Sequence, residues 1–129
     1  GKLSAKDFIF YTVAQISGAI GGVAAANLMF DLPAFFVSTK ARTGAAQFFS
    51  EFIATFGLIT AIISTVKFRP QTTPFAVAAY ITSAYWFTSS TSFANPAVTI
   101  ARTLSDSFAG IRPNDVAAFI IAQILGAIA

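Results

Sequence analysis

Four apolar windows separated by short polar connectors dominate the sequence. Phe8–Phe30 contains no charged residue, and Ala45–Val66 contains Glu51 as its one charged side chain. Phe75–Phe87 and Val116–Ala129 are shorter, and the latter would form about 21 Å of helix. A transmembrane helix needs about 20 mostly apolar residues. The first two windows are therefore predicted to span a membrane, the third is a candidate span, and the fourth is expected to be a span cut off by the end of the chain.

The charge pattern indicates a lipid bilayer around the chain and excludes several function classes. Hydrophobic residues make up 56% of the chain and charged residues 10%, against about 25% charged residues in soluble domains. Seven of the eight basic residues lie in the connectors, so the net charge of +3 forms no basic face for nucleic acid. The chain has no Cys and no His, which removes the usual metal sites, thiol chemistry and imidazole base catalysis. We therefore expect no metal, no cofactor and no enzyme activity.

The triplet Asn95-Pro96-Ala97 interrupts a stretch that is otherwise typical of a membrane-buried segment. Asn is a preferred N-cap and Pro a preferred first helical residue, so a helix is predicted to begin here. A helix that begins within a bilayer must have its first N–H groups buried in protein or facing a watery cavity. It also presents the positive end of its dipole to that cavity. The triplet therefore indicates a pore or a transport site, although an ordinary loop-to-helix cap has the same local pattern.

A short segment occurs twice in the chain. Ala14–Ile20 reads AQISGAI and Ala122–Ile128 reads AQILGAI, so the two copies differ only at Ser17 and Leu125. Chance in a chain rich in Ala, Ile and Gly is one explanation, and the other is a duplicated half, the usual architecture of channels and secondary transporters. Three connectors that change membrane side lie between the copies, so the repeat would be inverted. Small residues such as Gly18 and Gly126 are expected to let helix backbones approach closely.

Together these features resemble the aquaporins and aquaglyceroporins, the family of major intrinsic proteins. The matching elements are Asn95-Pro96-Ala97 in a re-entrant loop after the fifth helix, the segment Ala-Gln-Ile-x-Gly-Ala in the third and sixth helices, and Glu51 early in the fourth. The resemblance implies an all-α membrane protein, an inverted-repeat helical bundle with a re-entrant half-helix. The segment that begins with Phe93-Ala94-Asn95-Pro96-Ala97 is similar to a bacterial branch often associated with arsenic resistance.

By this resemblance, residues 1–129 would be a partial channel domain that spans the third to sixth membrane helices. Residues 1–30 would end the first repeat, and residues from about 43 to 129 would form the second. If the separation between the two copies of the repeated segment holds for the whole repeat, the counterpart of Asn95 lies shortly before Gly1. A second Asn-Pro-Ala-like triplet is therefore expected there in the gene. The resemblance also implies a homotetramer with one pore per subunit, in a bacterial inner membrane.

Three polar residues within the apolar windows are expected to support the pore loop: Glu51, Gln15 and Gln123. Glu51 lies well inside a helix whose start is predicted near Thr43, and an ionisable group at that depth in a membrane is costly and by default functional. The resemblance offers the backbone N–H groups of Ser90–Phe93 as its partners, which would make Glu51 a buried brace. The rival assignment is a proton-coupling carboxylate of a secondary transporter.

The selectivity filter is where the sequence departs from the family. Most members carry an Arg directly after the second Asn-Pro-Ala, and Val98 stands in that place here. Family spacing adds Ser83 and Ser92 to the same opening, so three small side chains imply an opening wider than that of a water-only channel. Arg102 lies one helical turn after Val98. It either leans back over Val98 and rebuilds the filter, or pairs with Asp106, or is a surface residue at the lipid boundary.

The sequence therefore predicts a membrane channel for passive flux of water, glycerol and uncharged metalloid hydroxides such as arsenous acid. The alternative is a proton- or ion-coupled secondary transporter built on inverted repeats. In the channel, the amide donors of Asn95 would hold a passing solute by its oxygen, and the positive helix end would repel cations. The aromatic residues before the loop are assigned to packing or to an interfacial belt, although one of them could narrow the pore: Tyr80, Tyr85, Trp86 and Phe87.

Overall fold

The computed structural model describes residues 4–129, and within them it contains five α-helices and no strand. The helices are α1 (Ala5–Met29), α2 (Ala45–Phe68), α3 (Thr73–Phe87), α4 (Pro96–Ala101) and α5 (Val116–Ile128), with 3-10 turns at Pro70–Thr72, Arg102–Leu104 and Pro113–Asp115. The predicted all-α class is confirmed for this part of the chain. By length and composition α1 and α2 can cross a membrane. Helices α3 and α5 are shorter than the about 20 residues of a full span.

Local start signals fix where the helices begin. The Ser4 hydroxyl accepts a hydrogen bond from the Asp7 N–H at 3.1 Å, and the Asp7 carboxylate in the first turn complements the dipole of α1. Gly44 precedes α2 with φ of 101°, a left-handed conformation that favours glycine. Helix α4 begins after an N-cap, Asn95, with Pro96 as its first residue. Each apolar window of the sequence therefore starts as a helix within a few residues of its predicted boundary.

Helix α2 is the centre of the packing and contacts both α3 and α5, whereas α1 packs against α4. Gly126 allows a close approach of α5 to α2, because a Cβ atom added there would lie 2.4 Å from the carbonyl oxygen of Phe52. Gly57 likewise makes room for the Tyr80 side chain, whose hydroxyl donates to the Ala54 carbonyl at 3.0 Å. The buried apolar residues form two clusters, one of Ala54, Leu58 and Ala94 and one of Phe93, Ile111 and Phe119.

The two copies of the repeated segment have different surroundings. In the second copy, on α5, Gln123 is buried and Gly126 touches α2. In the first copy, on α1, Gln15 is exposed and nothing lies within 4 Å of a Cβ atom added at Gly18. The expected close packing therefore occurs at Gly126 and not at Gly18. The structure does not bring Gln15 to the loop before α4, because no described element covers its face of α1.

The α1–α2 connector (residues 30–44) runs beside the segment that follows α4. The Ser38 N–H donates to the Thr103 carbonyl at 2.8 Å, and the Arg112 N–H donates to the Lys40 carbonyl at 2.9 Å. These backbone hydrogen bonds join segments that are distant in sequence. The connector is thereby fixed against the C-terminal end of α4.

Candidate functional site

The N-terminus of α4 is capped by Asn95. Its side-chain Oδ1 accepts hydrogen bonds from the backbone N–H of Ala97 at 2.8 Å and from that of Val98 at 3.5 Å. Pro96 occupies the first helical position, where its missing N–H leaves no partner unsatisfied. The Thr99 hydroxyl donates to the Asn95 carbonyl at 2.9 Å and closes the first turn. Because the cap uses only the side-chain oxygen, the Nδ2 amide of Asn95 remains available to another partner.

The loop before α4 has an uncommon backbone conformation. Thr91, Ser92 and Ala94 have φ values of 61°, 46° and 48°, in a left-handed region that costs a non-glycine residue about 1–2 kcal/mol. Such conformations persist where the surrounding contacts determine them. Here they turn the N–H groups of Phe93 and Ala94 toward the carboxylate of Glu51. The loop is therefore an amide concavity of the kind that binds anions.

Glu51 is the anion in that concavity. Its carboxylate is fully buried on α2 and accepts from the Phe93 N–H at 3.3 Å, from the Ala94 N–H, and from Gln123 Nε2 at 2.9 Å. Gln123 Nε2 also donates to the Thr99 hydroxyl at 2.8 Å. One chain of hydrogen bonds consequently joins α2, α5 and α4. The Glu51 carboxylate reaches the loop at residues 93 and 94, so the second of its two backbone partners lies just beyond the segment named from the sequence.

A cavity of about 580 Å³ lies beside α4 on the side that faces α1. Val98, Ala101 and Arg102 line it, together with Tyr85 from the end of α3 and Asn27 from the end of α1. A mostly apolar lining with a few polar groups is typical of a small-molecule site. From the sequence, Tyr85 was assigned to packing or to an interfacial belt, with narrowing of the pore left open as an alternative; in the structure it lines this cavity. The described residues contain no group of three or more His, Cys, Asp or Glu side chains that could hold a metal ion.

Ser83 and Ser92 do not lie on this cavity. Ser83 is exposed on α3, and its hydroxyl donates to the Ala79 carbonyl at 2.8 Å. Ser92 is buried within the loop, and its hydroxyl has no hydrogen-bond partner among residues 4–129. Thr91 and Ser92 both have a left-handed backbone conformation in this loop. Of the predicted filter residues, the structure brings Val98 and Arg102 together and leaves the two serines apart from them.

Arg102 does not pair with Asp106, and that alternative was wrong. Helix α4 ends at Ala101 and continues as a 3-10 turn, so the i,i+4 spacing of an α-helix is lost. The Asp106 carboxylate instead accepts from the Thr39 N–H at 2.8 Å and from its hydroxyl at 3.0 Å. The Arg102 guanidinium is half-buried over the Phe93 ring, 4.3 Å from the centroid, and its Nη1 has no hydrogen-bond partner within the described chain. Arg102 is therefore no simple surface residue.

Arg42, in the α1–α2 connector, is a residue of this region that sequence reasoning missed. Its Nε donates to the Gly110 carbonyl at 2.7 Å, Nη1 to the Ser90 carbonyl at 2.8 Å and Nη2 to the Phe108 carbonyl at 2.9 Å. The guanidinium also lies 4.9 Å from the centroid of the Phe93 ring. One buried side chain thus joins the loop before α4 to the segment after it. No local signal marks Arg42, because membrane connectors commonly carry arginines.

Two guanidinium groups, those of Arg42 and Arg102, consequently lie against one aromatic ring. Burial lowers the pKa of Arg42, the positive charge of Arg102 lowers it further, and the negative charge of Glu51 opposes both. Arginine remains protonated in proteins despite such effects. The region around the Phe93 ring therefore carries two positive charges.

Asn27 is a second residue that sequence reasoning missed. Its Nδ2 donates to the carbonyls of Ala34 at 3.0 Å and Leu104 at 3.2 Å, and its Oδ1 accepts from the Ser105 hydroxyl at 2.7 Å. A signal was present, since Asn27 is the one Asn of the first apolar window and a buried amide needs partners. Asn27 fixes the end of α1 to the connector and to the turn after α4.

Comparison with known proteins supplies a relationship over nearly the whole chain. The chain is 52% identical over 128 residues to the aquaglyceroporin AqpS of Rhizobium meliloti (strain 1021). The alignment covers 99% of this chain and 55% of AqpS, so the chain spans about half the length of this relative. No family model and no solved structure matches the chain. Over nearly its whole length, this chain is therefore a homologue of an aquaglyceroporin.

Proposed function

We propose that the complete protein is a membrane channel for passive flux of water and small neutral solutes, with glycerol among them. The observation that carries the proposal is α4, a short helix whose capped N-terminus is held in the interior by the buried Glu51 carboxylate. A helix this short is not stable by itself, so its surroundings hold it in place. The name of the relative, an aquaglyceroporin, supports a channel and not an enzyme.

The N-terminal end of α4 makes the channel selective for neutral solutes. The Nδ2 amide of Asn95 is left over from the cap and can donate to the oxygen of water or of a hydroxyl group. The dipole of α4 adds positive potential at the same end, which repels cations. The rigid frame of Glu51, Gln123 and Thr99 keeps this end in position. Asn95, Pro96 and Ala97 therefore act as the solute-facing end of a half-helix.

The small side chain of Val98 makes the opening wide. A valine in the position where most of the family has an arginine leaves space for solutes larger than water. Arg102 lines the same cavity as Val98 and supplies a positive charge one turn further along. Glycerol and uncharged metalloid hydroxides such as arsenous acid are of suitable size and carry oxygen lone pairs for the donors. Ser83, which is exposed on α3, is proposed to face the opening in the complete protein, whereas Ser92 is buried in the loop and is proposed to support it from within.

The proposed architecture is an inverted repeat in which this chain supplies the third to sixth helices. The bare face of α1 at Gln15 and Gly18 corresponds by the repeat to the packed face of α5 at Gln123 and Gly126. This correspondence supports a second half-helix that covers α1 as α2 and α4 cover α5. We propose a homotetramer with one pore per subunit in a bacterial inner membrane.

The rival function, a coupled transporter, predicts a different driving force. We expect glycerol flux into liposomes that hold the complete gene product to follow the glycerol gradient alone. A proton or sodium gradient imposed across the same liposomes should leave the initial rate unchanged, because Glu51 is held by three donors as a brace. The measurement is radiolabelled glycerol uptake with and without each ion gradient. Uptake against a glycerol gradient, driven by either ion, would establish the transporter instead.

Arg102→Ala is expected to widen the opening and to weaken its barrier to cations. Glycerol permeability relative to water should rise several-fold, and leakage of small cations should rise about tenfold because a partly desolvated positive charge has been removed. The measurement is stopped-flow light scattering for water and glycerol, with an ion-flux assay on the same liposomes. Asp106→Ala is the matched control, since Asp106 binds Thr39 and not Arg102. Equal and small effects of both substitutions would remove Arg102 from the filter.

A further inference from the structure

The side chain of Arg42 has an arrangement that the channel mechanism above does not use. Its three carbonyl acceptors come from two different segments, Ser90 before α4 and Phe108 and Gly110 after it. Its own backbone N–H donates to the Asp115 carboxylate at 2.6 Å. The residue is 5% exposed. A charge so completely bonded and buried is held in a single orientation.

Arg42 and Arg102 share the Phe93 ring. Their guanidinium carbons lie 4.9 Å and 4.3 Å from its centroid. The two like charges repel, and the Ser90 and Phe108 carbonyls are already occupied by Arg42. Arg102 keeps Nη1 without a partner among residues 4–129 while it lines the cavity next to Val98. The Ser90 and Phe108 carbonyls thus already have a donor in Arg42, whereas the buried Nη1 of Arg102 has no acceptor within the described chain.

We propose that Arg42 is a positioning residue for the selectivity of the opening: it occupies the carbonyls of Ser90, Phe108 and Gly110 and thereby leaves the Arg102 guanidinium facing the cavity. The inference rests on the proposed channel function and extends it to a residue outside α4 and its loop. Without Arg42, those carbonyls would lose their donors, and Arg102 would turn toward them and away from the cavity. The opening would then lose its charge although Arg102 was still present.

The role requires arginine and not simply a positive charge. A guanidinium presents several N–H donors in a planar fork, whereas a lysine ammonium is a compact charge on a flexible stem. Three carbonyls in three directions match the fork. Two hydrogen bonds hold the connector that carries Arg42: the Thr39 N–H donates to the Asp106 carboxylate, and the Arg112 N–H donates to the Lys40 carbonyl. The backbone from which the Arg42 side chain extends is therefore held in place. Arg42→Lys therefore keeps the charge in the region and removes the geometry.

The test is a double-mutant cycle in the complete gene product, with Arg42→Lys, Arg102→Ala and the double variant in liposomes. Arg69→Ala, which removes an exposed connector arginine, is the control. We expect Arg42→Lys to raise cation leakage about tenfold, or about 1.4 kcal/mol of barrier, and to raise the glycerol-to-water ratio in the same direction as Arg102→Ala. The double variant should match Arg102→Ala alone, because Arg42 acts through Arg102. If Arg42 had a purely structural role, Arg42→Lys would lower the amount of folded channel. It would leave the cation leakage and the glycerol-to-water ratio per channel unchanged.

The outcomes separate this inference from the proposed function. Wild-type liposomes that pass neither water nor glycerol would overturn the channel and the inference with it. Two results in a working channel would overturn the inference alone. One is that Arg42→Lys leaves the glycerol-to-water ratio and the cation leakage unchanged. The other is that the effects of Arg42→Lys and Arg102→Ala simply add in the double variant. If Arg42→Lys does not fold, Arg42→Gln takes its place, since its amide can donate to one of the three carbonyls but cannot replace the guanidinium at all of them. Arg42→Gln should raise cation leakage and the glycerol-to-water ratio in the same direction as Arg102→Ala and should add nothing to Arg102→Ala in the double variant. Unchanged leakage and an unchanged ratio would refute the positioning role.

Discussion

Replacing Glu51 by Ala is expected to cost the folded protein about 3 kcal/mol or more, because three buried donors lose their acceptor. The substitution leaves the N–H groups of Phe93 and Ala94 and the amide of Gln123 buried without their acceptor. Each such donor costs about 1–3 kcal/mol when it is left unsatisfied. The left-handed loop before α4 would also lose the contact that determines its backbone. The measurement is the apparent melting temperature and the yield of folded protein in detergent.

Glu51→Gln and Asp31→Asn are the controls for this loss. Glu51→Gln keeps the size of the side chain but turns an N–H₂ group toward donors, so it should be intermediate between the wild type and Glu51→Ala. Asp31 is an exposed acid in the α1–α2 connector, and its neutralisation should leave the melting temperature within error of the wild type. A Glu51→Ala protein as stable as the wild type would show that the loop holds its conformation without the carboxylate.

Replacing Val98 by Arg is expected to close the opening to the larger solutes. The new guanidinium would enter the cavity that Val98 lines, beside Arg102 and Tyr85, and would remove space where glycerol must pass. Glycerol permeability should fall about tenfold or more, while water permeability should fall much less, since a smaller solute loses less from added bulk. Arsenous acid should follow glycerol. The measurement is the flux of all three solutes through the same proteoliposome preparation.

Val98→Ile separates bulk at this position from the effect of a guanidinium. It adds one methylene group to the apolar wall of the cavity and carries neither a charge nor a hydrogen-bond donor. We expect it to reduce glycerol flux modestly and to leave cation leakage as in the wild type. If Val98→Arg and Val98→Ile had equal effects on every solute, position 98 would lie outside the narrow part of the path.

The helices could be predicted from the sequence because their signals are local. Each apolar window became a helix, with α2 beginning at Ala45 and α3 ending at Phe87 where their windows do. The cap at Asn95 was equally predictable, since Asn followed by Pro specifies a helix start without tertiary contacts. Gln15 was different. Its sequence context matches that of the buried Gln123, but its burial depends on elements that do not lie against α1 in the described chain.

The charged part of the site was harder to predict because it depends on distant segments. The predicted Arg102–Asp106 ion pair required the α-helix to continue beyond Arg102. It does not form, because α4 ends at Ala101 and the Asp106 carboxylate accepts from the Thr39 N–H instead. Arg42 meets its carbonyl acceptors across long stretches of sequence, and no spacing rule connects them. Glu51 could be recognised as functional because a charged side chain inside a membrane is energetically costly. The backbone N–H groups that donate to it depend on the left-handed conformation of the loop.

Paired water and glycerol permeability, measured on liposomes with the complete gene product and on empty liposomes of the same lipid, tests the central claim most directly. A channel built on the capped half-helix of Asn95, with Val98 in its opening, should raise both permeabilities well above the empty liposomes. Both increases should scale with the amount of protein. Folded protein in the membrane with both permeabilities at the level of empty liposomes would contradict the channel. Fast water flux without glycerol flux would contradict the wide opening at Val98.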